Sequence, residues 1–151
     1  MINYREATKS DVFQFVDLAQ TMAWESSEYR DIEFERDIVA QNFFTRFYSR
    51  TGVIFIAERN TRMIGFITGK LTPYLFSSAK QVSEESWYVL PDFRGGMVGP
   101  KLLKYLQEWG VKQGARETIV APGIKANSER ITRLLEKMGF QQSGYVLRKG
   151  I

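Results

Sequence analysis

An apolar strand that runs into a glycine-rich turn, and then directly into a helix, is the feature that most restricts the fold of this chain. The predicted strand 83–90 is stopped by Pro91, and the turn occupies 94–99. Helical spacing of apolar residues follows over 100–112. A strand followed at once by a helix is typical of a sheet that carries helices on its faces. We therefore expect an α/β or α+β protein with a mixed sheet and helices on both faces.

The rest of the chain alternates between strand and helix periodicity. No repeat, low-complexity tract or linker interrupts it, so we expect one domain over 1–151. With the strand and helix above, the pattern predicts six to seven strands. The other expected elements are a strand at 2–5, a helix from Thr8 or Ser10 with Val12, Phe15, Val16, Leu18 and Ala19 on one side, a helix at 33–48, hairpin strands at 53–57 and 63–69, a strand at 118–121, a helix from Asn127 or Ser128 to Lys137, and closing strands at Phe140 and 144–148.

Two absent residue types exclude much chemistry. The chain has no cysteine and no histidine, which excludes disulfides, a cysteine nucleophile, a serine–histidine triad and any metal site built on thiolate or imidazole. The net charge is +4, and the basic and acidic residues are interspersed along the chain, so no nucleic-acid-binding arm is indicated. No apolar run is long enough to span a membrane, and the polar N-terminus is unlike a signal peptide. These features fit a cytoplasmic protein.

The glycine-rich turn has two interpretations. Gly99 at the N-cap and Pro100 at the first helical position would aim backbone N–H groups at one point near the positive end of a helix. That arrangement binds phosphate. The alternative is a tight connection that needs its glycines only to turn, and the glycines alone leave both open.

The turn and a second motif together resemble the GNAT superfamily of acyl-CoA-dependent N-acyltransferases. That family's signature is Gln/Arg-x-x-Gly-x-Gly/Ala after a strand ending in Val-x-Pro. Here Arg94 takes its first slot and Gly99 its last, after Val89-Leu90-Pro91. The stretch 133–140 is similar to the family's Leu-Tyr-Glu-Lys-x-Gly-Phe ending. The resemblance covers essentially the whole chain and implies a GNAT-like sheet that splays between its fourth and fifth strands.

The resemblance also implies a cofactor site without a metal. Acetyl-CoA would be the co-substrate, and backbone amides of the turn would hold its pyrophosphate. The pantetheine arm would bind the open edge of the fourth strand. The residues carried over are Arg94, Gly95, Gly96, Val98 and Gly99 for the pyrophosphate, Val89 and Leu90 for the strand edge, and Asn127 or Ser128 for a further pantetheine contact.

Two glutamates are candidates for the base that removes a proton from the acceptor amine. Glu85 lies on the fourth strand, where the period of two predicts that it shares a face with Trp87 and Val89. The stretch 85–91 is similar to one in aminoglycoside 6′-N-acetyltransferases. Glu25 lies in a predicted loop, 24–29, that in this fold borders the acceptor pocket. The alternatives are that Glu85 and its neighbour Glu84 are solvated charges at the end of the strand, and that 24–29 is a surface loop with one buried tryptophan.

Two residues depart from the family's pattern. Met97 occupies a glycine slot, where a positive φ would cost about 1–2 kcal/mol and weaken cofactor binding. Leu135 occupies the slot where many members carry a tyrosine, the usual candidate in the family for protonating the leaving thiolate. The expected function is acetyl transfer from acetyl-CoA to a small-molecule or peptide amine in a ternary complex. The alternative is a GNAT-fold binding or structural module without turnover. Dimers are common for this fold, so a homodimer is also open.

Overall fold

The computed structural model describes residues 1–121 and 128–151, which fall into two compact units, Met1–Ala121 and Pro122–Ile151. The first unit holds a sheet and three α-helices, and the second holds one α-helix. In chain order the elements are β1 (Asn3–Glu6), α1 (Val12–Glu25), α2 (Arg36–Tyr48), β2 (Gly52–Arg59), β3 (Arg62–Pro73), β4 (Lys80–Val89), α3 (Val98–Lys112), β5 (Thr118–Ile119) and α4 (Ser128–Lys137), with short 3-10 helices at Lys9–Asp11 and Pro91–Phe93.

The sheet has five strands in the order β1-β2-β3-β4-β5. The first four are antiparallel neighbours, and β5 is parallel to β4. β5 pairs only with the start of β4, where Val82 lies opposite Thr118 and Ser83 opposite Ile119. Beyond Ser83, β4 continues for six residues without a partner on that side among the described residues. The predicted separation of the fourth and fifth strands is present.

Each face of the sheet is covered as the sequence predicted. The helical stripe of α1 is buried with Phe43, Phe66 and Tyr88 in one apolar cluster. The opposite face receives α3, whose Leu102, Leu103 and Leu106 have no exposed surface. Helix and sheet approach closely there because β3 has glycines, and a Cβ at Gly69 would lie 2.6 Å from the Leu106 side chain. The mixed sheet with helices on both faces is confirmed.

The predicted hairpin forms between β2 and β3. Its two-residue turn has Asn60 at φ 50° and Thr61 at φ 65°, so both central residues have positive φ, as a type I′ turn requires. Pro73 ends β3 as expected.

A β-bulge in β4 changes the predicted orientation of Glu85. Register with β3 shifts between Thr68 and Gly69, which inserts one extra residue into β4. Glu85 therefore lies on the α2 side of the sheet, where it contacts Arg46, whereas Trp87 lies on the α3 side against Gly99. The prediction that Glu85 shares a face with Trp87 and Val89 is wrong, because a bulge breaks the period of two.

The predicted closing strands are absent from the second unit. α4 ends at Lys137, and Gly139 follows at φ 91°, as a C-terminal glycine cap requires. Residues 140–151 contain no strand, so the described sheet has five strands rather than six or seven. Apolar alternation favours a strand but does not supply a neighbouring edge, and Tyr145, Val146 and Leu147 are exposed. No helix in 1–121 or 128–151 has the length and apolarity to cross a bilayer.

Candidate active site

The open edge of β4 leads to the glycine-rich turn. The N–H of Leu90 donates to the carbonyl of Ile64 in β3 over 2.9 Å, and the carbonyl of Leu90 accepts from Phe93. Backbone groups of consecutive strand residues point to opposite sides, so the N–H and carbonyl of Val89 point to the open edge. Of the two predicted edge residues, only Val89 has its N–H directed there. Both backbone groups of Leu90 are used within the protein.

The glycine-rich turn places backbone N–H groups at the start of α3. Gly95 has φ 82°, and a Cβ at Gly96 would meet nothing within 4 Å. α3 begins at Val98, and its first turn contains Gly99. N–H groups in the first turn of a helix have no intrahelical partner and lie at its positive end. The predicted phosphate-binding residues therefore lie in one turn, where Gly95 and Gly96 are exposed and the Val98 side chain is buried.

Two predictions about this turn are wrong. Met97, not Gly99, is the N-cap, and Pro100 is the third helical residue rather than the first. Proline is tolerated there because N–H groups in the first turn need no intrahelical partner. Met97 has φ −93°, so it carries no positive-φ strain, and Gly95 provides the left-handed residue instead. The expected weakening of cofactor binding by Met97 loses its physical basis.

Arg94 begins the glycine-rich turn, and its side chain also contacts three other residues. Its Nε donates to the Val89 carbonyl over 2.7 Å, and its Nη2 donates to Glu25 Oε2 over 2.7 Å. The guanidinium carbon lies 5.2 Å from the ring centroid of Tyr88, within range of a cation–π interaction. The sequence did not predict these side-chain contacts.

Glu25 is the last residue of α1 and has both carboxylate oxygens occupied. One accepts from Arg94, and the other accepts a short hydrogen bond from the Tyr88 hydroxyl. Burial and the hydrogen bond to Glu25 raise the pKa of Tyr88 above its ordinary value. An engaged carboxylate is poorly placed to take a proton from an amine, so this geometry suits positioning better than the predicted role of Glu25 as a base.

Glu85 is likewise held by cations. Arg46 Nη2 lies 2.6 Å from its Oε2, and Lys70 Nζ lies 3.1 Å from its Oε1. These contacts orient Glu85 toward α2 and β3. They would have to loosen before the carboxylate could act as a base.

Glu84 is the glutamate that sequence reasoning left out of the site. It is half-buried, lies where β4 and β5 separate, and accepts a hydrogen bond from the N–H of Ala121. Burial raises the pKa of Glu84 to about 7, and the nearby charge of Glu85 adds to the rise. The sequence signal was only an acidic residue in an apolar strand, and the bulge that sets its environment could not be foreseen.

The raised pKa of Glu84 predicts a pH-dependent stability cost. Between the ordinary value near 4.5 and about 7, the folded protein holds a proton that the unfolded chain releases. The contribution of Glu84 to the free energy of unfolding is therefore fully present at low pH. It is lost as pH rises through that window, because the buried carboxyl group must then ionise. We expect E84Q to gain about 2–3 kcal/mol over wild type between pH 4.5 and pH 8. Urea unfolding of E84Q, wild type and the exposed control E108Q across this pH range measures the difference. If the free energy of unfolding depends on pH in the same way in all three proteins, the prediction is contradicted.

The predicted border of the acceptor pocket, 24–29, was expected to be a loop, but α1 extends through Glu25 and the loop occupies 26–35. Ser26 is buried and organises its start, accepting from Tyr29 and Arg30 at its carbonyl and from Glu28 at its hydroxyl. Trp24, just before the loop, is 60% exposed.

Some predicted features cannot be placed at this site. Asn127 lies outside the described residues. Ser128 is the first residue of α4. Across 1–121 and 128–151, no three acidic side chains are grouped as a metal ion would require.

The fold and the cleft define a GNAT-type acyltransferase architecture, and the comparisons agree. Residues 13–140 match the sequence profile of the Acetyltransferase (GNAT) family. The chain therefore belongs to the GNAT acetyltransferase family. The matched region includes both the glycine-rich turn and α4. No curated protein sequence matches the chain significantly.

Solved structures share the fold at low sequence identity. A transcriptional regulator from Bacillus halodurans has a TM-score of 0.81 and 19% identity, covering 100% of both chains. A predicted acetyltransferase with acetyl-CoA from Clostridium acetobutylicum has a TM-score of 0.81 and 18% identity, covering 99% of this chain and 96% of that one. The aminoglycoside N-acetyltransferase AAC(6′)-Iy in complex with CoA has a TM-score of 0.79 and 20% identity, covering 100% and 95%. At such identity the likeness establishes the fold alone.

Proposed function

We propose that this protein is an N-acetyltransferase that moves an acetyl group from acetyl-CoA to a primary amine. The observation that carries the proposal is the open edge of β4, which continues into the glycine-rich turn at the start of α3. Family membership and the similar structures that contain CoA or acetyl-CoA support it. The proposed reaction is direct transfer within a ternary complex, since the chain has no cysteine or histidine for an acyl-enzyme intermediate.

The cofactor would lie along this edge. Its pyrophosphate would accept hydrogen bonds from the N–H groups of Gly95, Gly96, Val98 and Gly99, at the positive end of α3. The pantetheine amides would extend along β4, with the N–H of Val89 as a donor. Six residues of open edge span roughly 17–20 Å at 3.3 Å per residue, which suits an extended arm of that kind.

The acetyl end of the cofactor would lie toward the bulge, where β4 and β5 separate. Glu84 lies at this end of the edge, and its pKa of about 7 suits a general base near neutral pH. We propose Glu84 as the group that receives the ammonium proton, directly or through a water molecule. The neutral nitrogen then attacks the thioester carbonyl and forms the C–N bond. As the C–S bond breaks, the second proton of the nitrogen passes to the leaving sulfur, directly or through water, so that the products are the amide and CoA thiol.

The acceptor is proposed to be a cationic amine. Residues 26–35 contain four acidic residues and one arginine, and exposed Trp24 precedes them. Negative charge and an aromatic surface both favour an ammonium group. Three of the similar structures are of aminoglycoside acetyltransferases, one of them in complex with sisomicin, which is consistent with this class of acceptor.

Free thiol release tests the proposal. Acetyl-CoA is incubated with the protein and with polyamines, aminoglycosides, amino acids and a peptide with a free N-terminus. We expect amine-dependent thiol release that is fastest with a multiply charged amine. Acetyl-CoA binding without turnover on any amine would support the alternative, a GNAT-fold binding module.

A further inference from the structure

Glu25, Arg94 and Tyr88 form a bridge between two segments that are distant in sequence. Glu25 ends α1 and immediately precedes the loop 26–35, whereas Arg94 immediately precedes the glycines of the cofactor turn. The Glu25–Arg94 ion pair spans 2.7 Å, and the two side chains are 27% and 28% exposed. Tyr88, only 3% exposed, fixes the second oxygen of Glu25 from the apolar core.

The position of Glu25 is unfavourable for α1 itself. A carboxylate in the last turn of a helix faces the negative end of the helix dipole, and that turn contains no basic residue. Helix stability therefore gives no reason for an acid at this position. The contacts of Glu25 with Arg94 and Tyr88 give a reason, because each of these two residues donates a hydrogen bond to one oxygen of the Glu25 carboxylate.

The loop that begins after Glu25 is anchored near its two ends, by buried Ser26 at its start and by Phe34, which packs against the apolar cluster. Most of residues 26–35 are exposed, and the buried anchor at its start is Ser26, directly bonded to Glu25 in the chain. Segments with few buried contacts open at low free energy. Fixing Glu25 therefore fixes the first residue of the loop.

Arg94 is held at two points. Its Nε is bound to the Val89 carbonyl on the open edge of β4, while its Nη2 holds Glu25. A ligand that orders the turn or this edge would restrict the guanidinium, and with it Glu25. A ligand on the loop would act on the turn to the same extent, because coupling between two binding sites is reciprocal.

We infer that Glu25 is a positioning residue that couples the acceptor loop to the cofactor turn through Arg94, so that CoA binding orders residues 26–35. The inference rests on the proposed function, since it requires the turn to bind CoA. It assigns Glu25 no proton transfer. Its effect is to set the affinity for the amine according to whether the cofactor is bound.

Hydrogen–deuterium exchange with CoA as the probe tests this coupling. In wild type, CoA should slow exchange both in peptides covering 94–99 and in peptides covering 26–35. In E25Q the charge that pairs with Arg94 is lost, and one amide oxygen replaces the two carboxylate oxygens that accept from Arg94 and Tyr88. We expect CoA to protect the turn of E25Q while the loop loses its protection, by about fivefold or more.

Matched variants separate coupling from a loss of structure. E108Q removes an exposed ion pair away from the loop, the contact of Glu108 with Lys104 on α3, and should behave as wild type. R94K keeps the positive charge but cannot hold both Val89 and Glu25 in the same way, and it should lose loop protection as E25Q does. E25Q should also raise KM for the amine while kcat changes little.

Two results would overturn the inference, and they differ in kind. Loop protection that persists in both E25Q and R94K would show that the bridge carries no coupling, while leaving the proposed function intact. Absence of CoA protection at 94–99 in wild type would instead remove the cofactor site, and the coupling with it.

Discussion

Glu84→Gln should lower kcat/KM for acetyl transfer by about 10²–10⁴-fold, the typical effect of removing a general base. Glutamine keeps the shape of the side chain and can still accept from the N–H of Ala121, but it cannot take a proton. CoA affinity should be unchanged, since the proposed phosphate donors lie in the turn at the far end of β4. Initial rates of thiol release with the best amine, together with calorimetric CoA titration, measure both quantities.

The adjacent glutamate is the matched control for this experiment. Glu85 lies on the opposite face of β4, held by Arg46 and Lys70, so E85Q should reduce the rate by less than tenfold. The wild-type rate should rise through pH 7 as Glu84 ionises, and E84Q should lack this step. Higher pH should partly rescue E84Q, because more amine is then neutral. Full activity in E84Q with loss in E85Q would return the role of base to the residue that the sequence favoured.

Arg5→Met should destabilise the protein by about 3 kcal/mol near pH 7, because it leaves paired carboxylates without their cation. Arg5 donates to both oxygens of Asp11 over 2.8 and 3.0 Å, and to both oxygens of Glu58 over 3.1 and 2.9 Å. Asp11 is only 5% exposed, so its charge has little access to water. Urea unfolding of wild type and R5M measures the difference.

The pH dependence of this effect follows from the two acids. Burial acts to raise the pKa of Asp11, but hydrogen bonds from Arg5 and Thr8 outweigh it and lower that pKa. The hydrogen bond from Arg5 also lowers the pKa of Glu58. Stability from both groups is present above about pH 4 and is lost as pH falls through their folded-state pKa values. The deficit of R5M should therefore shrink in acid, and a deficit that is constant between pH 3 and pH 7 would contradict this account.

Local patterns in the sequence were sufficient for most of the fold. The hairpin around Asn60 and Thr61, the apolar stripe of α1 and the cap at Gly139 depend on neighbouring residues, and each forms as predicted. The missing strands at 140–151 show the limit of this reasoning. A strand requires a partner edge, and partner edges are not encoded locally.

The candidate site was harder to predict because its chemistry depends on contacts distant in sequence. One extra residue in β4 puts Glu85 on the face opposite to the one that the period of two predicts relative to Trp87. Arg94 was predicted from its motif, but its contact with Glu25, 69 positions away, follows only from the fold. The prediction that Glu25 lies in a loop is wrong, since Glu25 is the last residue of α1.

Calorimetric titration with acetyl-CoA tests the central claim, that the turn at the start of α3 binds the cofactor. Three proteins are compared: wild type, G96D and S78D. A side chain at Gly96 meets nothing within 4 Å, so aspartate there places negative charge beside the proposed pyrophosphate site without a clash. Ser78 is exposed in the loop before β4, at the opposite end of that strand from the turn, and carries the same added charge. We predict one binding site per chain in wild type, about tenfold weaker binding in G96D and unchanged binding in S78D. Equal affinity in all three proteins, or no binding by wild type at millimolar acetyl-CoA, would contradict the account.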